Sequence, residues 1–249
     1  MHAPGSRVAC LLGSTCLALA CAVPVTSGSS SGVTKDTAPA VTTLGEPHEG
    51  DYNLGPVEFS GSFWNSCAPY TPELEKQIGP MLAGLALKWN GNGSLCDTCI
   101  LVKTAKGKSV VARVITTGET RGPNDVDLSK AAFDAIHVGE YPRKMTWELV
   151  KCPPGGKIQY QFQTEANPWW TSLWVRNARL PIRTVEVKSA KHATFVPLRR
   201  GPDGTLTDDS GFGDGPFTLR VTAVDGQTIT DSFDKIVPGA VIPSSGQFD

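Results

Sequence analysis

Residues 167–182 read NPWWTSLWVRNARLPI. An extended strand sends successive side chains to opposite faces, so Trp169 and Trp170 should diverge. SLWVRN continues as a strand, which puts Trp170, Ser172 and Trp174 on one face and Trp169, Leu173 and Val175 on the other. The second set makes the better core. Two readings follow. In the first, Trp169 is interior, and Trp170 and Trp174 are incidental surface aromatics. In the second, Pro168 distorts the strand entry and two or three indoles share one exposed plane. Flat indoles match the apolar CH faces of β-linked glucose and give large rigid contact at small entropic cost. An exposed apolar patch of that size marks a binding site.

Working outward, IQYQFQTEA, IRTVEVKSA, ATFVPLRR, FTLRVTAV and TITDSFDKIV are short alternating runs separated by Asn-Pro, Pro-Asp-Gly and Asp-Gly turns. No helical stripe interrupts them. This pattern predicts a β-sandwich over residues 157–249. CPPGG at 152–156 is a turn-dense junction, with 153–156 as the connector. Upstream, residues 55–152 mix strands with one or two helices and suggest a small α+β barrel. VEFSGSFW, CILVKTAKGKSVVARVITTG and MTWELVKC read as its strands. In TPELEKQIGPMLAGLAL, Thr71 is a candidate N-cap, Pro72 takes the first helical position and Gly79-Pro80 interrupts. DLSKAAFDAI opens a second helix capped by Asp127 or Ser129.

A basic start is followed by the apolar run VACLLGSTCLALACAVPV from Val8 to Val25, and the first 20 residues read as a secretory signal too short for a comfortable membrane span. Cleavage after Ala20 leaves Cys21 first, in a context similar to a bacterial lipobox but with Ala18 in the leucine position. Free secretion and a lipid anchor on Cys21 are both open. Residues 21–54 are rich in Ser, Thr, Gly and Pro and predict a flexible spacer. The net charge of -1 and pI near 6.4 exclude nucleic acid as a general partner.

Seven cysteines, less Cys10, Cys16 and Cys21 in or at the end of the leader, leave Cys67, Cys96, Cys99 and Cys152. Cys96-x-x-Cys99 could be a zinc half-site or a redox pair. No second CxxC exists, and outside the leader and spacer only His137 and His192 remain, so disulfides are favoured in an exported chain. No metal and no cofactor are expected. No nucleophile elbow and no Gly-rich phosphate loop appear. Acids available for proton transfer are Glu58, Glu119, Asp125, Asp127 and Asp134, which would otherwise be caps and solvated surface.

Taken together, CxxC, then DVDLSKAAFDAI, then WELVKCP, then NPWWTSLWVRNARLPI resemble the expansins, most closely the microbial expansin-like proteins, from Gly55 to the C-terminus. The resemblance implies a mainly β protein: a six-stranded double-psi β-barrel with short helices, followed by an immunoglobulin-like β-sandwich that binds carbohydrate. It implies loosening of cellulosic walls without glycan hydrolysis. Trp169 and Trp170 match the family's cellulose platform. The region that normally supplies a third aromatic reads PLRRGPDGTL, leaving Trp174 or Phe212 as substitutes. Asp127 matches the aspartate needed for loosening. In ITTG (115–118), Thr116 stands in place of a second acid and Gly118 in place of a tyrosine. Glu58, Ser60 and Glu119 are further groove candidates. The resemblance also pairs Cys67 with Cys96 and Cys99 with Cys152. The second bridge closes a loop worth about 4 kcal/mol on chain-entropy grounds.

Three functions are therefore weighed. A non-enzymatic loosening protein would act on cellulose or a related β-glucan as a monomer. A glycan-cleaving enzyme would use Asp127, with Glu58 or Glu119 as partner in an inverting hydrolase or alone in a lytic transglycosylase. A plain binding module would use the barrel only to position the sandwich. The near-neutral charge favours neutral glucan over acidic polymers.

Overall fold

The computed structural model describes residues 41–59, 66–118 and 121–249. The expected signal peptide, Cys21, most of the expected spacer, Ser60 and Glu119 lie outside the described residues. Among the described residues no helix is long and apolar enough to cross a membrane.

Six strands close a barrel in the order β1-β5-β2-β4-β3-β6. They are β1 (His48–Leu54), β2 (Leu82–Leu85), β3 (Cys99–Thr104), β4 (Ser109–Thr117), β5 (Val126–Leu128) and β6 (Lys144–Val150). Two pairs, β1 with β5 and β2 with β4, run parallel; the others are antiparallel. Tyr52, Leu85, Ile100, Val102, Val114, Val126, Leu128 and Trp147 fill the interior. Strand β1 lies inside the stretch expected to be spacer. HEGDYNL carries little apolar pattern, and only Tyr52 is fully buried. Pairing with β5 and β6, distant in sequence, makes it a strand.

The helices follow their caps. Helix α1 (Pro72–Ile78) starts on Thr71, whose Oγ1 accepts the Leu74 N–H, and stops at Gly79 with φ of 77°. The apolar LAGL that follows is β2, and α2 (Leu87–Asn90) is one turn. Helix α3 (Lys130–Ile136) is capped by Ser129, which accepts from Ala132 N. Asp127 is thus released from the capping role that its sequence context offered.

The second half is the expected sandwich. One sheet runs β10-β9-β13-β14, from β9 (Ile182–Ser189), β10 (Val196–Pro197), β13 (Phe217–Ala223) and β14 (Thr228–Phe233). The other runs β11-β12-β8-β7-β15, from β7 (Gln159–Phe162), β8 (Thr171–Arg176), β11 (Arg199–Arg200), β12 (Leu206–Asp208) and β15 (Val241–Pro243). Tyr160, Phe162, Leu173, Val175, Val185, Phe212, Phe217 and Leu219 form the core between them.

Every residue of β8 is buried, although only one of its faces meets this core. The barrel covers the other. Arg176, on that face, is fully buried: it pairs with Asp97 at 2.6 Å and donates to the carbonyls of Cys67 and Pro69, both at 2.8 Å, and to Gln161 at 3.1 Å. Its guanidinium lies over Tyr70 and Trp174, 4.4 and 5.1 Å from their ring centres. A charge this deep is tolerated because its donors are met, and removing one partner of such a pair costs about 3–5 kcal/mol. The two disulfides are Cys67–Cys96 and Cys99–Cys152, 29 and 53 residues apart, as the resemblance implied. Cys67 and Asp97 belong to the barrel surface that Arg176 grips, so the first bridge braces the junction. The second fastens β3 to the chain leaving the barrel.

Candidate functional site: a tryptophan turn and a barrel groove

Trp169 and Trp170 do not enter a strand. NPWW closes a tight turn in which Asn167 and Trp170 exchange backbone hydrogen bonds of 2.8 and 3.3 Å. Asn167 Oδ1 accepts from the backbone N–H of both Trp169 (2.9 Å) and Trp170 (3.1 Å). This is the Asn-Pro turn chemistry of a side chain that satisfies backbone donors two and three residues on. The turn leaves Trp169 68% exposed and Trp170 half-buried. The alternation that an extended strand would impose on the doublet never applies.

A second loop underpins the turn. Gly213 N donates to Pro168 O at 2.8 Å, and Phe212 N donates to Thr171 Oγ1 at 3.3 Å. Gly211 has φ of 70°, and a Cβ there would come within 2.4 Å of Pro168 O. The supporting loop is itself tied down. His192 Nε2 meets Asp208 Oδ2 at 2.5 Å, Ser210 donates to Asp208 Oδ1, and Lys191 Nζ donates to Ser210 O. An exposed indole on a backbone held this firmly loses little freedom when a ligand stacks on it.

The other proposed platform aromatics lie elsewhere. Trp174 is only 6% exposed; its Nε1 donates to Asp203 O at 3.3 Å and its ring faces Arg176 at the interface. Phe212 is core, packed on Phe217 with ring centres 5.0 Å apart. Neither can extend an open shelf.

On the barrel, strand register assembles a groove. Asn53 on β1 pairs with Asp127 on β5, Asp127 with Gly84 on β2, and Gly84 with Thr116 on β4. In-register partners share a face, so four strands contribute one row, with a gap at Gly84. A depression of about 750 Å³ lies over it, lined by Asn53, Leu54, Leu87, Thr116, Arg121, Asp127 and Arg143 among others. Gly118 borders the carboxylate so closely that a Cβ there would fall 2.7 Å from Asp127 Oδ2. In this chain the glycine gives the carboxylate its room.

Burial raises the Asp127 carboxyl above its ordinary range; neighbouring Asp125 adds to this, and Arg121 opposes it. Asp125 is not free to act with it: its oxygens accept the backbone N–H groups of Asp51 (2.9 Å) and Gly122 (2.7 Å). Thr116 Oγ1 accepts from Ser66 N at 3.1 Å and so holds the neighbouring loop. Glu58 is exposed and lines a separate shallow depression with Phe59, Glu75 and Lys130. Among the described residues, Asp127 is the only acid lining the groove. No group of metal-ligating side chains occurs among them.

The sequence reading missed Arg121 and Arg143 in the groove, and Asn167 and Gly211 at the turn. The Asn-Pro dipeptide was a usable signal for the turn. Nothing local distinguishes the two arginines, because register and loop path bring them to the groove.

The architecture combines a closed barrel carrying an acid-lined groove with a pair of packed sheets whose entry turn exposes a tryptophan. No protein-family model matches the chain. Three curated relatives, all from Dictyostelium discoideum, do. Expansin-like protein 3 is 28% identical over 188 residues, covering 71% of this chain and 55% of its own length. Expansin-like proteins 6 and 5 are each 24% identical, covering 76% and 68% of this chain and 70% and 72% of theirs. The chain therefore spans only about half the length of the first of these relatives. The crystal structure of an apo expansin from Clavibacter michiganensis superposes with a TM-score of 0.69 at 20% identity, over 81% of this chain and 98% of that one. A mutant of that expansin in complex with cellohexaose gives 0.68 over the same shares. The chain is thus similar in sequence to expansin-like proteins and shares its fold with a solved expansin.

Proposed function

We propose that this chain is an exported, non-hydrolytic wall-loosening protein that adsorbs to cellulose or a related β-glucan through Trp169 and Trp170 and engages an adjacent glycan with the Asp127 groove. Trp169 carries the proposal: a large apolar ring stands mostly in water on a backbone braced by two sets of hydrogen bonds. Cores do not account for such an arrangement, and stacking on sugar does. A structural neighbour was crystallised with cellohexaose. The rigid junction at Arg176 would hold the two surfaces in one relation, so that a chain held on the turn is pulled against one held in the groove. Asp127, kept protonated to higher pH by burial, can donate a hydrogen bond to a sugar hydroxyl or accept one, and so compete with contacts between glucan chains. Adhesion between chains rests on many weak contacts, so local competition suffices to release them.

The test joins two readouts. Cellulose paper should weaken or creep under load in the presence of the protein, with no soluble sugar released. Steady sugar release with turnover would overturn the proposal. A second reading has one specific observation in its favour: a solitary carboxyl raised by burial is what a general acid requires. A lytic transglycosylase acting through Asp127 alone would digest peptidoglycan, and Asp127→Asn would abolish that digestion. For the non-hydrolytic reading, neither the native protein nor the variant digests it.

A further inference from the structure

The overall charge of -1 suggests a neutral ligand, but the groove has its own balance. Two guanidinium groups, Arg121 and Arg143, line it against the single carboxylate of Asp127. Among the described residues neither guanidinium makes a hydrogen bond or an ion pair, and Arg143 Nε is buried with no partner. The Arg143 guanidinium lies over the face of Phe133, 5.3 Å from the ring centre. Elsewhere in the fold, buried or clustered arginines are paired. Arg176 has four acceptors, Arg220 holds Glu186 by two hydrogen bonds of 2.8 Å, and Arg199 holds Asp209. In this groove two guanidinium forks keep their hydrogen-bond donors free among the described residues, although the charge of Arg121 acts on Asp127 through space. A guanidinium presents a planar set of donors that matches a carboxylate in two parallel hydrogen bonds. Beside them, Leu54 and Leu87 expose apolar side chains suited to the CH faces of a sugar ring.

We propose that the barrel groove selects an acidic glycan, a polysaccharide bearing uronic-acid carboxylates, with Arg121 and Arg143 as the residues that pair with the sugar carboxylate. This rests on the reading of the groove as a glycan site, and it assigns the two surfaces different ligands: neutral glucan on the tryptophan turn and uronate in the groove. Such a division would bridge a cellulose surface to the charged polymer beside it. Asp127 then lies next to the bound carboxylate and enforces selectivity, since a uronate placed without the arginines would meet only repulsion.

The full chain carrying Trp169→Ala weakens the tryptophan turn, so that binding is read chiefly at the groove. Calorimetry with hexagalacturonate, its fully methyl-esterified form and cellohexaose then reads the preference. Hexagalacturonate should bind about 10-fold more tightly than its ester, and Arg121→Gln should remove most of that preference, as expected for losing a charge-assisted pair. Arg121 is exposed, so this variant does not threaten the fold. Arg143→Gln should act alike, with Arg143→Lys retaining part of the binding. The preference should shrink as salt rises. Equal binding of acid and ester, or no change in Arg121→Gln, overturns the inference. If cellohexaose binds the groove while the acid shows no advantage, the glycan-site reading stands and the inference alone falls. If none of the three ligands binds, both fall.

Discussion

Trp169 and Trp174 are five residues apart in one aromatic-rich stretch, yet one is 68% exposed and the other 6%. Neither value follows from strand alternation. Trp169 is exposed because Asn167 and Pro168 fold its backbone into a turn before β8 begins. Trp174 is buried because the outer face of β8 meets the barrel, where Arg176 ties the two halves together. The same residue type thus stands open to solvent in one place and packs the barrel–sandwich junction in the other. Local turn chemistry decides the first, and a partner domain decides the second.

Substitution should separate the two roles. Trp174→Ala opens a cavity at the interface and should cost about 3–5 kcal/mol, lowering Tm by roughly 10 °C in a protein of this size. Adsorption to cellulose well below that Tm should survive. Trp169→Ala should do the reverse: Tm stays within about 2 °C, while adsorption in a pull-down falls on the order of 30-fold, the loss expected of an aromatic hot spot. If Trp169→Ala unfolds the protein or Trp174→Ala alone abolishes adsorption, the division of roles is wrong.

Gly211→Ala sharpens the contrast from below the turn. Its side chain would strike Pro168 O, and its backbone sits at φ of 70°. The expected cost is about 1–3 kcal/mol. Adsorption should fall as well, since the turn must shift to make room, even though Gly211 itself offers no ligand contact.

The smallest effect belongs to Asp127. Its carboxyl is raised in the fold chiefly by burial, so the folded protein keeps the proton over a pH range where the unfolded chain has released it. Above that range the folded state bears a penalty, which fades as pH falls through the raised pKa. Asp127→Asn should therefore stabilise slightly at pH 7, by less than about 1 kcal/mol because the group is partly solvated. The gain should vanish below about pH 4, where the unfolded chain is protonated too. Wall loosening should be lost while Tm rises, a pattern that a purely structural aspartate would not give. Melting curves across pH, read beside a creep assay, check it.

Much of the fold was legible. The alternating runs after CPPGG became sandwich strands, Thr71-Pro72 opened a helix, and Ser129 capped another. The sequence also singled out Asp127 and the Trp169-Trp170 doublet, whose positions in the groove and the turn the structure then gives. Strand β1 was not, because its apolar content is slight and its strand character comes from neighbours in the closed barrel. Nothing in the local sequence marks Arg176 as buried or places Arg121 and Arg143 in the groove.

By itself, the sequence determined what depends on neighbours a few residues away: caps, turns, the period of the strands, and the chemical identities of Asp127, Trp169 and Trp170. Tertiary structure alone decided that the outer face of β8 is covered by the barrel, which carboxylate lines the groove, and which arginines stand beside it. Those outcomes depend on which distant surfaces pack together, and burial is a property of the packed pair, not of either strand.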